Sequence, residues 1–461
     1  MIENSKDINE VKQALTNINP VGASQEKLFD AINLGYNTLK KSKSPLFVVV
    51  TDETGDDAAN MEKTLNTLSR KKSRVHVLST PASFGNKEWH WTQVVDPILG
   101  KTEHYKSSNG PASGTKEILF DFFFVQRSHH TNQMAKYNWK NWAVSAGWAP
   151  YNLAYISQET KGAIYLIATD SYLLDSNDFD IKKMKRYQPE IAKPSTLLKS
   201  IAKDFRRKAV HRALEEYYKK RNLITINRNT YLGNPSSPVE MKKKMIATFL
   251  KSNIKNVEKN MVLIEDMIDT LEDALKKDQK EQEKAKKYST KEEEVGNNPS
   301  LRWQANLELN YALAYSSYYE MLQYKEFLKE AEAGRIDTRY GGVPDNPDSL
   351  RKAELDTAIY AEILMLPHDD DHHAQKKVYS VVHGDSTNPL SIVKTIMGKK
   401  KIDKLSLEEV EKIANVTLEF VEHNHANTPW AVLAQKTRSY LGPYGLMVYI
   451  FGNSTNTNSN Q

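Results

Sequence analysis

The sequence predicts an α/β domain followed by an all-α domain, and two patterns carry this prediction. In the first third of the chain, short apolar runs alternate with segments of helical periodicity. Beyond Asp170, apolar residues recur almost entirely at helical spacing. Alternating helices and strands are typical of a doubly wound sheet, whereas long helical stretches are typical of bundles. At 461 residues the chain also exceeds the length of a single core, which favours two domains.

Three short runs are predicted to be strands of one parallel sheet. The first has no alternation of apolar and polar residues, which predicts burial on both of its faces. Each run follows a segment with helical spacing, as expected for a doubly wound fold. The strands are predicted at 46–50, 74–78 and 163–167, and the helices before them at 28–39, 58–69 and 151–160.

The segment 81–148 interrupts this alternation. It is dense in aromatic residues, and glycine and proline break any regular period. Because this composition and spacing fit neither a long helix nor a βα unit, we predict an insertion with short strands. The α/β domain, including the insertion, is predicted to span residues 1–175.

A helical domain is predicted for residues 176–450. Apolar residues in its longest helix repeat at intervals of four and three, a 3.5-residue period that is typical of a coiled-coil seam. A polar turn and a second apolar stripe follow, so 239–332 is predicted to be an antiparallel hairpin. A shorter helix pair is predicted at 408–441, and residues 451–461 are predicted to be a disordered tail. The seam consists of Leu250, Ile254, Val257, Met261, Ile264, Ile268, Leu271 and Leu275.

Composition argues against several classes of function. The chain has no cysteine, which removes disulfides, thiolate metal sites and cysteine nucleophiles. Its 64 basic and 58 acidic residues nearly cancel, and basic stretches lie between acidic ones, so no nucleic-acid partner is predicted. No window approaches the roughly 18 consecutive apolar residues of a membrane-spanning helix. The first ten residues lack the features of a signal peptide.

Several segments resemble a von Willebrand factor A domain, which has a doubly wound, Rossmann-like fold. The run 48–52 is similar to the strand and loop that carry an aspartate of the family's metal-ion-dependent adhesion site. The segment 21–24 resembles the loop that supplies the threonine of that site, and 153–162 resembles the last helix and strand. Segments 300–306 and 428–434 are similar to those of a bacterial class in which an A-type domain precedes a helical region.

This resemblance implies a Mg²⁺ site built from oxygen ligands, completed by a carboxylate of a protein partner. Ser24 and Asp52 would be its ligands here. The family's Asp-x-Ser-x-Ser segment is absent before Ser24, and the roughly 20 residues before that loop cannot hold the strands and helix of a complete domain. We therefore expect an incomplete domain, and Mg²⁺ binding only in a full-length form. If the true start lies upstream of Met1, an extracytoplasmic location is also consistent with the sequence.

A simpler interpretation of the same residues is structural. Asp52 would initiate a loop, and Ser24 would cap the helix that begins near residue 28. Glu53, Asp56 and Asp57 add negative charge to the loop. Such charge could attract a cation, although exposed carboxylates are more often simply solvated.

Histidine and aspartate are concentrated in a second stretch. His368, His372 and His373 flank three aspartates, and His383 follows ten residues later. Because His and Asp are the usual ligands of Zn²⁺ and Mn²⁺, this stretch suggests a metal-dependent hydrolase. Adjacent side chains on a loop rarely converge on one ion, and the helical His-Glu-x-x-His motif is absent. A solvated loop is therefore favoured over a metal site.

The function predicted from the sequence is non-enzymatic docking of a protein partner through the A-type domain, which the helical domain presents. One alternative is the metal-dependent hydrolase. Another is an assembly scaffold in which the seam at 250–275 pairs between chains. A further histidine pair, His423 and His425, lies at a predicted helix end, where a cationic imidazole would favour the helix dipole.

Overall fold

The structure is a computed structural model that describes most of both predicted domains. The described residues are 7–16, 27–39, 43–51, 55, 57–82, 84, 89–96, 101–107, 144–167, 179, 181–221, 223–224, 226, 229–232, 237–288, 299–333, 338–340, 358–367, 389–441 and 444–452. The helices are α1 (Ile8–Thr16), α2 (Leu28–Thr38), α3 (Met61–Ser69), α4 (Tyr151–Glu159), α5 (Ile181–Lys185), α6 (Pro194–Lys203), α7 (Phe205–Arg221), α8 (Val239–Tyr288), α9 (Pro299–Glu332), α10 (Pro389–Met397), α11 (Leu407–Asn424) and α12 (Pro429–Tyr440). The strands are β1 (Leu46–Thr51), β2 (Arg74–Ser79), β3 (Trp89–Asp96), β4 (Lys101–Ser107), β5 (Ile164–Leu166), β6 (Asn229–Tyr231), β7 (Thr338–Tyr340), β8 (Ala358–Pro367) and β9 (Tyr444–Gly452).

The α/β unit is built on a three-stranded parallel sheet in the order β1-β2-β5. Val75 and Val77 of β2 face a core that also holds apolar residues of α2, α3 and α4. All three helices therefore pack on the same face of the sheet. The predicted parallel α/β arrangement is confirmed, whereas the A-type fold stays a prediction. The core consists of Phe29, Ile32, Met61, Leu65, Leu68, Val75, Val77, Tyr151, Leu153, Tyr155, Ile156 and Leu197.

The turn between α4 and β5 lies directly against β2. A Cβ atom on Gly162 would come within 1.8 Å of the Val75 carbonyl oxygen, so only glycine fits at this position. The Thr160 hydroxyl accepts a hydrogen bond from the Val75 N–H at 3.1 Å. This turn therefore fixes how closely α4 packs on the sheet.

Helix α9 is the central element of the helical unit. It packs against α7, α8, α11, α12 and β9. Every residue from Ala305 to Leu322 is buried, so burial extends around the whole helix rather than along one stripe. Helices α8 and α9 pack together within the range 239–332, and α11 and α12 pack together within the range 408–441.

The predicted seam of α8 is buried within the chain. Val257, Ile264 and Leu271 are fully buried, and the other seam residues belong to or pack against the same core. These side chains contact the chain's own helices, with α8 lying between α7 and α9. The seam is therefore already used inside one molecule.

A second sheet lies within the range that was predicted to be helical. Its strand order is β6-β8-β9-β7, and its longest pairing is the antiparallel one between β8 and β9. Both strands are mainly apolar and contain β-branched and aromatic residues, which favours strands over helices. Strand β9 continues through Phe451 and Gly452, so the predicted tail beginning at 451 was wrong at its first two residues.

The two cores interleave along the sequence instead of separating near residue 175. Ala82, Phe84, Val144 and Ala146, which border the predicted insertion, are buried in the helical core. Leu197 of α6 is buried in the α/β core. Within the insertion, β3 and β4 form an antiparallel hairpin, as the expected short strands. Among the described helices, none combines the length and hydropathy of a membrane span.

Candidate functional site

The carboxyl ends of the parallel strands form the first candidate site, because ligands of open α/β sheets bind at this edge. Strand β1 ends at Thr51, and Asp57 follows in the next loop. The Asp57 carboxylate accepts hydrogen bonds from the backbone N–H groups of Phe29 at 3.1 Å and Asp30 at 2.7 Å. Asp57 therefore satisfies two first-turn donors of α2 and places negative charge at the positive end of that helix.

This contact bears on two predictions for the edge. Helix α2 begins at Leu28, and its N-cap residue Lys27 makes no side-chain cap hydrogen bond. Asp57 therefore supplies a cap from the loop after β1, whereas Ser24 lies outside the described residues and its capping role stays a prediction. Asp57 was also considered as a charge that attracts a cation, but both of its oxygens accept hydrogen bonds from amides.

Gly55 allows the loop to approach α2 this closely. Its φ of +73° lies in the left-handed region, which favours glycine. A Cβ atom at this position would lie 2.7 Å from the Leu28 Cβ atom. The loop after β1 and the start of α2 thus form one closely packed unit.

The described residues of this edge do not supply a metal site. The Asp57 oxygens are taken by amides, and an Asp30 oxygen accepts from the Asn60 side-chain amide at 3.0 Å. Within the described part of the chain, no group of three or more His, Asp and Glu side chains could hold a metal ion. The predicted ligands Ser24, Asp52, His368, His372, His373 and His383 lie outside the described residues.

The second candidate site is the sheet face opposite the helices. Leu46, Val48 and Val50 of β1 are 58%, 60% and 71% exposed, although they lie on a strand predicted to be buried on both faces. That prediction was wrong because the connections run in one direction, from β1 to β2 to β5, and right-handed connections then place α3 and α4 on the same side. The strand register aligns Val50 with Leu78, and Leu78 with Tyr165.

We call this surface the open sheet face. Tyr165 is 56% exposed, and Leu78 and His76 are half-buried beside the exposed residues of β1. Sequence analysis could not have found this surface, because an uninterrupted apolar run is the usual sign of burial. The open sheet face consists of Leu46, Val48, Val50, Arg74, His76, Leu78 and Tyr165.

The third candidate site is a buried polar network in the helical unit. The His425 imidazole follows the end of α11, and its Nδ1 atom lies 2.8 Å from the Tyr187 hydroxyl. Its Nε2 atom lies 2.8 Å from a carboxylate oxygen of Glu308. The Arg302 guanidinium donates to the Tyr187 carbonyl at 2.6 Å and lies 4.9 Å from the centre of the Trp430 ring. This network joins the segment after α5 to α9, α11 and α12.

The chemistry of the three central side chains is complementary. A neutral imidazole donates through one nitrogen and accepts through the other, which suits the Glu308 carboxylate and the Tyr187 hydroxyl. Burial, together with the negative charge of Glu308, raises the pKa of Tyr187 to about 12, so the hydroxyl keeps its proton. Tyr187, His425 and Glu308 are at most 5% exposed. We therefore assign the network a structural role in holding the helices together.

His425 was predicted to lie at a helix end, and the structure confirms this position. Its partners were missed, since Glu308 is 117 residues away and Tyr187 is 238 residues away in the sequence. The one available signal was a carboxylate between two leucines, Leu307 and Leu309. His423 is exposed and lies 3.7 Å from Glu419 on the same helix.

A second buried cation connects α7 to α9. Arg207 donates to Glu190 at 2.9 Å and to the Ser200 hydroxyl at 2.8 Å. Its guanidinium also lies 4.4 Å from the centre of the Trp303 ring, a distance typical of a cation–π contact. Arg207 and Arg302 thus face a carboxylate, a carbonyl and aromatic rings.

No protein-family model, curated protein or solved structure matches this chain. The class of protein is therefore described by its own architecture, a small parallel α/β unit joined to a helical unit that contains a mixed sheet.

Proposed function

We propose that this chain is a non-enzymatic protein-interaction module of the A type that its sequence resembles, and that a protein partner docks on the open sheet face. The observation that carries the proposal is the exposure of Leu46, Val48 and Val50 on the edge strand of a parallel sheet. Parallel sheets are normally covered on both faces. A contiguous apolar patch on a soluble protein marks an interaction site.

The open sheet face can supply a useful binding free energy. Full burial of a large apolar side chain stabilises by about 1.5–3 kcal/mol relative to exposure. Leu46, Val48, Val50 and Tyr165 are each more than half exposed and so retain much of this contribution. Because association also costs rigid-body and side-chain entropy, we expect dissociation constants on the order of micromolar for a small partner.

The metal-dependent part of this proposal rests on the sequence resemblance alone. The resemblance assigns Mg²⁺ to Ser24 and Asp52, where oxygen ligands would suit a hard cation. The described residues at the carboxyl edge do not complete such a site. Docking on the open sheet face is therefore expected to be insensitive to chelation.

Selection from a displayed peptide library tests the docking function. Peptides selected on the immobilised 461-residue chain would be measured by fluorescence anisotropy against the wild type, Val50→Glu and Leu34→Ser. Leu34 is a matched control because it is 65% exposed on α2, away from the open sheet face. We expect Val50→Glu to weaken binding at least tenfold, and Leu34→Ser and EDTA to leave it unchanged. Peptides that bind Val50→Glu as well as the wild type would contradict the proposal, as would a selection that enriches none.

A further inference from the structure

We infer that the partner on the open sheet face is an amphipathic helix with acidic residues at one end, an inference that rests on the proposed docking function. The distribution of charge across the face carries it. In the strand register, Leu46 lies beside Arg74 and Val48 lies beside His76. Val50 instead lies beside Leu78, which continues to Tyr165. The face therefore carries the Arg74 charge at the amino ends of the strands and is uncharged at their carboxyl ends.

The shape of the face favours a helix as the occupant. In α/β layers, the element that covers the face of a parallel sheet is a helix, which runs roughly along the strands. The four residue steps from Leu46 to Val50 span about 13 Å at roughly 3.3 Å per residue. A helix covers this distance with about nine residues at 1.5 Å each. Apolar side chains at positions i, i+3 or i+4, and i+7 of such a helix would cover the exposed residues of β1 in one ridge.

The basic end selects the charge of the occupant. Arg74 is exposed, and its backbone N–H donates to the Pro45 carbonyl at 3.1 Å, which fixes the main chain from which the guanidinium extends. A carboxylate next to this guanidinium gains a charge-assisted hydrogen bond, whereas an ammonium group is repelled. The His76 imidazole, two residues further along β2 and beside Val48, offers a second hydrogen-bonding side chain. Glutamate or aspartate at the adjacent end of the docked helix therefore matches this surface.

A second copy of the chain fits the face less well. In a two-fold face-to-face contact, each copy presents the same surface to the other. One alignment places the basic rows together, so that the two Arg74 side chains repel each other. The opposite alignment places Arg74 over the apolar row and removes its charge from water without a partner. An acidic helix avoids both costs.

Two designed peptides test the inference on the complete chain. Both are amphipathic 14-residue helices with leucine at positions i, i+3, i+4 and i+7, one with three glutamates and the other with three lysines in the first turn. We expect the glutamate peptide to bind at least tenfold more tightly than the lysine peptide in fluorescence anisotropy. Arg74→Glu should reverse this preference. Val50→Glu should remove the binding of both peptides, and Leu34→Ser should remove neither.

The outcomes separate the partner from the docking function itself. Equal binding of both peptides, lost in Val50→Glu, would overturn the acidic partner and leave the docking function standing. Binding that ignores Val50→Glu, or no binding, would overturn both. Sedimentation that shows dimers lost in Val50→Glu would identify a second copy as the occupant and overturn the inference. Circular dichroism of each variant, with Val48→Ser as a milder second substitution, excludes loss of folding as the cause of lost binding.

Discussion

Strand β1 and helix α9 show opposite relations between local sequence and burial. From Leu46 to Val50, β1 contains only apolar residues, yet every second side chain is exposed. Helix α9 carries Arg302, Glu308 and Glu320 along its length, yet all three are buried. Burial in this protein thus depends on the neighbours that the topology provides more than on the hydrophobicity of the segment itself.

The difference has energetic consequences for both elements. Helix α9 is surrounded, so its polar groups need partners inside the protein, and Glu308 finds one in His425. Strand β1 lies at the edge of a sheet whose helices all pack on one face, so half of its apolar surface remains in contact with water. Substitutions in α9 should therefore destabilise the fold, whereas substitutions on the open sheet face should change binding.

The largest expected effect is at Glu308. Glu308→Ala removes the acceptor for the buried His425 Nε2 atom and for the Gln304 side-chain amide, and each lost acceptor costs about 1–3 kcal/mol. The matched control is Glu326→Ala, an exposed glutamate on the same helix, for which a change within about 0.5 kcal/mol is expected. Urea unfolding measures both. Equal losses for the two variants would show that the network has no special role.

The seam of α8 provides the next comparison. Ile264→Ala removes a fully buried side chain facing the core, and the unfolding free energy should fall by about 2–5 kcal/mol. Val262→Ala, two residues away and 53% exposed, should change it by less than about 0.5 kcal/mol. The urea midpoints of the two variants, measured with the wild type, compare the two losses in unfolding free energy. A seam that pairs between chains would instead make the Ile264→Ala effect depend on protein concentration.

Alkaline pH should weaken the helical unit through Tyr187. Its pKa is raised from 10.0 to about 12 in the folded chain, so the folded state holds a proton that the unfolded state releases. This contribution to stability is complete below pH 10 and is lost as pH rises from 10 to 12, by on the order of 1 kcal/mol for each pH unit. Unfolding free energies measured at pH 9, 10 and 11 should decline less steeply in Tyr187→Phe. Tyr165→Phe, at an exposed tyrosine, serves as the control, and an unchanged slope in Tyr187→Phe would refute the assignment.

The smallest expected effect is at the carboxyl edge of the sheet. Asp57→Ala removes the acceptor for the first-turn amides of α2 and should cost about 0.5–2 kcal/mol. Asp57→Asn keeps one acceptor oxygen and should give an intermediate loss. Hydrogen exchange of the Phe29 and Asp30 amides should accelerate in the same order. If neither amide changes its exchange rate, Asp57 does not cap α2 in solution.

The sequence was sufficient to predict the elements whose periodicity is local. The strands β1, β2 and β5, the hairpin and the α11–α12 pair all appear close to their expected positions. The second sheet was missed because β8 and β9, although apolar runs themselves, lie about 80 residues apart within a region dominated by helical spacing.

The candidate sites were harder to predict because they depend on distant neighbours. Asp57 caps α2 through Phe29 and Asp30, which precede it by 28 and 27 positions in the sequence. The contact of His425 with Glu308 spans 117 positions. The open sheet face arises from the direction in which successive connections run, which no single segment encodes. Local sequence patterns therefore predicted the positions of helices and strands. Which of their surfaces are buried or exposed could be seen only in the three-dimensional structure.

Hydroxyl-radical footprinting of two tyrosines tests the central claim most directly. Tyr165 on the open sheet face is 56% exposed, and Tyr311 on α9 is fully buried. With mass-spectrometric detection in the intact chain, Tyr165 should be oxidised at least tenfold faster than Tyr311, and an added docking peptide should protect Tyr165 alone. If Tyr165 and Tyr311 are oxidised at equal rates without any partner, the open sheet face is already covered. That result would contradict the claim that this face is exposed.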